Sequence, residues 1–140
     1  MASTYYAVSP RFRVNRLAVD DIVYKAVVAG AVVSQFDVVY ENGSQVRRAR
    51  ADSSTTMDGV GIASQVVGAG GVLDVIIRGR VTNASWGWTS GSPLFVSATS
   101  GGLMTHTPPS ASGNISQRIG IALTTTVIDL NPQTGFEISE

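Results

Sequence analysis

Between Ser92 and Pro132 the chain alternates short apolar runs with turn-forming clusters and never sustains an apolar period of helix length. That pattern constrains the fold more than any other feature. Leu94, Phe95 and Val96 form a run of strand formers, and Ser97 to Gly102 follows with two glycines that can take positive φ. Leu103 to Thr107 then alternates apolar and hydroxyl side chains until Pro108-Pro109 removes two backbone donors. After the turn cluster Ser110 to Asn114, Ile115, Ile119 and Ile121 lead through Thr124-Thr125-Thr126 to Val127, Ile128 and Leu130. The stretch is expected to be a self-contained set of strands.

The upstream chain has the same grammar. Ile22 to Val33 is dense in Val and Ala, and its β-branched content and flanking turns favour strands over a helix. Asn42-Gly43 stands between alternating apolar segments, the strongest short-range hairpin signal. The returning strand, Gln45 to Ala51, carries Arg47, Arg48 and Arg50, expected as a solvated or salt-bridged face rather than a binding patch. Gly68-Ala69-Gly70-Gly71 lacks the following helix and Lys-Ser or Lys-Thr pair of a phosphate loop, so a tight strand connection is expected. Val60-Gly61-Ile62-Ala63 matches Ile119-Gly120-Ile121-Ala122, and an apolar strand follows each, which predicts two structurally similar halves. Arg78 to Val81 is expected to close the first.

The run Leu94-Phe95, Ser97-Ala98-Thr99, Gly101-Gly102-Leu103, Thr105 to Pro109, Gly113-Asn114, Gln117-Arg118, Gly120, Ala122-Leu123 and Asn131-Pro132 resembles the C-terminal half of the capsid decoration (head fibre) proteins of tailed bacteriophages. With Asp37 to Arg80 included, the resemblance extends over much of the chain. It consists of strand and turn residues and carries no chemical signature. It implies a virion protein made in the host cytoplasm that binds the major capsid protein on the outer face of the head and reinforces it, as a homotrimer.

Composition fits a single domain of 140 residues, able to bury roughly 68 to 70% of its unfolded surface. Charged residues make up only 14% of the chain, against about 25% in a typical protein, so the surface is either rich in Ser, Thr and Gly or partly covered by partners. Ten basic and ten acidic residues cancel, so no nucleic-acid partner is expected. The apolar stretch Ile22 to Val33 is too short to span a bilayer and Met1 to Arg16 has no apolar signal core, so no membrane partner or secretion is expected. With no cysteine there is no disulfide or thiolate metal site, and no cofactor is anticipated.

Candidate sites follow from residue type. Residues 1–21 are expected to be an extended N-terminal arm and 22–140 one all-β domain, a small antiparallel barrel or sandwich. Tyr5, Tyr6, Arg11 and Arg13 are the candidates for capsid contact, tyrosines as anchors and arginines as charge partners. Trp86 and Trp88, two apart in a loop-like stretch, either plug the end of a barrel or anchor a subunit interface, and the interface is the functional candidate. His106 is the only histidine and lies two residues before a double proline, where it is expected to face solvent rather than serve a catalytic triad. No enzymatic activity is expected. The tail Gln133 to Glu140 is expected to be peripheral, and a receptor- or glycan-binding fibre module is the alternative reading of the whole.

Overall fold

The computed structural model describes residues 23–139, and the side chains from Ala26 onward. The arm, and with it Tyr5, Tyr6, Arg11 and Arg13, lies outside the described residues. The fold is all-β with a closed barrel, as expected.

The first half contains β1 (Val23–Ala29), β2 (Val38–Asn42), β3 (Gln45–Arg48), β4 (Gly59–Ala63) and β5 (Val72–Thr82). They close into a ring in the order β1-β3-β2-β4-β5, with β5 returning to β1. The expectation of purely antiparallel pairing needs one correction: β1 and β3 run parallel, through Val28 opposite Gln45 and Ala29 opposite Val46. A ring with an odd number of strands cannot alternate direction all the way round, so one parallel pair is a condition of closure. The Asn42-Gly43 hairpin forms, and the returning strand begins at Gln45, as expected. Asn42 pairs with Gln45, and Gly43 takes the first turn position with φ +68, the pattern of a II′ rather than a I′ turn.

β5 does not stop at the end of the first half. Its residues up to Arg78 pair with β1, and from Gly79 onward it pairs with β10. Gly79, at φ +113, stands at the change of partner, where a side chain would be strained. β5 thereby carries the ring into a second sheet of β10 (Val127–Leu130), β9 (Arg118–Ala122), β6 (Pro93–Val96) and β7 (Met104–Thr105). Two further short strands, β8 (Ile115–Ser116) and β11 (Phe136–Glu137), pair with each other. The Ser92–Pro132 stretch is therefore not self-contained: β10 needs β5, and the Ile115 amide donates to the Ala51 carbonyl at 2.7 Å. The C-terminal tail is not peripheral either. β11 pairs with β8, the Ile138 amide donates to the Asn114 carbonyl, and the Gly135 amide donates to the Asp58 carboxylate.

The two halves repeat one local device. In β2–β4, Val39 faces Gly61 and Tyr40 faces Gly59, so Val60 is skipped; in β6–β9, Leu94 faces Gly120 and Phe95 faces Arg118, so Ile119 is skipped. Each bulge places a glycine where a Cβ would press into a backbone carbonyl of the next strand, Ile76 for Gly61 and Asp129 for Gly120. The matched sequence motifs mark matched structure.

Two apolar clusters result. The barrel interior holds Ala29, Val33, Val39, Val46, Ala63, Leu73 and Val75. The larger cluster lies between the halves: Val38, Tyr40, Ile62, Ile76 and Val81 of the first meet Leu94, Val96, Ile119, Ala122, Ile128 and Leu130 of the second. Alternation along β2 explains the division, because Val39 points into the barrel while its neighbours Val38 and Tyr40 point into the shared layer.

Gln117 fastens this layer from within. It is 1% exposed; the Gly59 amide donates to its Oε1 at 2.7 Å, and its Nε2 donates to the carbonyls of Gly59 at 2.8 Å and Gln133 at 2.7 Å. A buried amide is tolerated there because these bonds replace those lost from water.

Candidate functional site

Trp86 and Trp88 belong to a row of four rings. Phe36 lies 5.2 Å from Trp86 between centroids, Trp86 lies 5.9 Å from Trp88, and Trp88 lies 5.1 Å from His106 in an edge-on contact. All four residues are half-buried, and Phe36, Trp86 and Trp88 pack against the shared core with one side. Tilted and edge-on pairs at these separations are the favoured aromatic geometries.

The loop that carries the tryptophans is tied down along its length. The amides of Asn83 and Trp88 donate to the carbonyls of Thr126 and Thr125, Ser90 Oγ donates to the Leu123 carbonyl, and the Gly91 amide donates to Ala122. The row is thus held on the β9–β10 turn. At its other end Phe36 adopts φ +72, uncommon for a residue with a side chain. Its amide donates to the Ala63 carbonyl at 2.8 Å and its ring rests on Trp86, contacts that offset the backbone cost of about 1 to 3 kcal/mol.

His106 corrects the expectation of a solvent-facing loop histidine. Its Nε2 accepts from the Thr89 amide at 3.0 Å, which leaves Nδ1 as the donor to the Pro93 carbonyl at 2.8 Å. Both ring nitrogens are spent on backbone partners, and the imidazole joins the tryptophan loop to β6. The sequence gives little warning, because Thr89, Pro93 and His106 come together only through the fold. Trp88 Nε1 is buried with no hydrogen-bond partner, an unsatisfied donor inside the row.

The arginine strand is salt-bridged, as expected. Arg48 Nε donates to Asp37 Oδ2 at 2.7 Å, and Arg50 meets Asp52 at 3.1 Å. Asp37 is buried, and its Oδ2 also accepts from the Ser34 amide at 2.8 Å, while Gly102 packs so closely on the carboxylate that a Cβ would collide with it. Arg47 is half-buried against Gly30, with Nε enclosed and unpaired. Arg48 and Arg50 brace the end of β3.

A cleft of about 450 Å³ opens at one end of the barrel, walled by Val27, Val46, Val60, Val75 and Ile77 and rimmed by Asp58. The glycine turn Gly68 to Gly71 is a strand connection: the Gly70 amide donates to Ala29, and Ala29 donates back to Gly71. Compared with known proteins, the chain matches no family model and no curated protein.

Proposed function

We propose that this is a structural virion protein, a decoration protein that binds the outer surface of a phage head and stabilises it, as a trimer. The observation that carries the proposal is how the segment with the family resemblance uses its polar groups. His106 holds the tryptophan loop to β6 and Gln117 holds β4 to the C-terminal tail, so groups that could have done chemistry serve to fix backbone. Such a domain suits a part that gains its effect by binding: a protein that recognises only the assembled shell stabilises it by mass action. Tyr5, Tyr6, Arg11 and Arg13 are assigned to the capsid and the half-exposed faces of Trp86 and Trp88 to the subunit interface, since Trp and Tyr are favoured anchors.

The test is co-sedimentation with mature capsids that lack the protein, comparing the full chain with one missing Met1 to Arg16. Saturable binding that falls sharply without the arm supports both the role and the contact. Binding indifferent to truncation moves the contact to the barrel loops. Absence of binding by either form overturns the reading. The aromatic row favours one second reading, a glycan-binding fibre module in which Trp86 and Trp88 stack on sugar rings. Saturable glycan binding abolished by Trp86→Ala, with no capsid binding, selects it.

A further inference from the structure

We infer that Asn42 is a site of spontaneous covalent change, in which its side-chain amide is lost to give aspartate and isoaspartate at the tip of the β2–β3 hairpin. Asn42 is the last residue of β2, exposed, and its side chain has no hydrogen-bond partner among the described residues. Gly43 follows at φ +68 with no atom within 4 Å of where a Cβ would stand, and its amide donates to no described group. Nucleophile and electrophile are thus adjacent, unprotected and open to water.

The chemistry needs only water. The Gly43 nitrogen attacks Asn42 Cγ, a new N–Cγ bond forms, the Cγ–Nδ2 bond breaks, and ammonia departs with the proton from the Gly43 amide. Water then opens the five-membered imide. Opening at Cγ leaves aspartate; opening at the main-chain carbonyl leaves isoaspartate, with an extra methylene in the backbone. Nothing is oxidised or reduced.

The same step is blocked or slowed elsewhere in the described chain by features already visible. The residue after Asn131 is Pro132, which has no N–H. Asn114 precedes Ile115, whose branched side chain crowds the nitrogen and whose amide is bound to the Ala51 carbonyl. Asn83 uses its Oδ1 to accept from the Ser85 amide at 3.0 Å, and Ala84 carries a Cβ. Only Gly43 leaves the attacking nitrogen unshielded.

The extended backbone of Asn42 holds Cγ away from that nitrogen, so closure waits for the turn to fray. Asn42–Gln45 is the outermost pair of the ladder, and its opening does not require the core to open. The product places a carboxylate next to Glu41, and the isoaspartate lengthens a two-residue turn.

The experiment incubates the folded full chain and a urea-unfolded sample at mildly alkaline pH in heavy-oxygen water and maps the peptides by mass spectrometry. The expected result is label entering at Asn42 before Asn83 or Asn114, with the folded rate within about tenfold of the unfolded rate because only local fraying is needed. Gly43→Ala, compared in the unfolded state so that turn strain plays no part, should slow the reaction at Asn42. Folded-state conversion slower than that margin, or earlier conversion at Asn83 or Asn114, overturns the inference.

Discussion

The two halves share a bulge, a glycine pressed against a carbonyl and the strand that follows it, yet they end differently. The first half closes on itself because β1 supplies both a parallel partner for β3 and an antiparallel partner for β5. The second has no counterpart of β1 among the described residues and runs out at the two-residue strand β7. Position by position, the difference reverses the sides. Ile62 and Ile121 occupy the same place after the glycine, but Ile62 is buried in the shared layer while Ile121 is only half-buried on the outer face. One strand grammar can therefore serve an inner and an outer sheet, provided the layer between them is filled from both.

The largest expected contrast is at these matched isoleucines. Ile62→Ala should cost about 3 to 4 kcal/mol in urea denaturation and Ile121→Ala about 1 kcal/mol, because only the first opens a cavity in closed packing. Equal costs would break the layer assignment. Gly61→Ala and Gly120→Ala should instead match each other, each losing about 2 to 3 kcal/mol as the new methyl meets backbone that cannot move aside. A large difference between them would show that the shared bulge does not have a shared role.

Next comes the fastener between halves: Gln117→Leu leaves the Gly59 and Gln133 groups unpaired and should lower stability by about 2 to 3 kcal/mol. The smallest effect belongs to the aromatic row. Trp88→Phe removes the unsatisfied Nε1 and keeps a ring beside His106, so thermal unfolding should change by less than about 1 kcal/mol, while Trp88→Ala should cost more.

Much of this is legible in the amino-acid sequence. The hairpin at Gly43, the glycine connection at Gly68 to Gly71 and the matched motifs at Val60 and Ile119 are local, and local sequence specifies them. What was not legible depends on distant partners. Nothing near Arg78 signals that β5 continues past Gly79 to a strand beginning at Val127, since the second partner is far along the chain. Likewise Trp86 and Trp88 stand out in the sequence as a pair two residues apart, but Phe36 and His106 enter the row from other parts of the chain. The tail reads as peripheral because it ends acidic, yet its order comes from backbone pairing with β8 while Phe136 itself stays 65% exposed, and side-chain pattern does not report such pairing.

The central claim is that the halves share one core and stand or fall together. The direct measurement is equilibrium unfolding in urea followed by two probes: fluorescence of the two tryptophans, which reports the loop beside the second sheet, and amide exchange of Val39-Tyr40 and Ile62-Ala63, which reports the barrel. The account predicts one midpoint for both, shifted equally by Gln117→Leu. Two separated transitions, with the barrel surviving loss of the tryptophan signal, would contradict it.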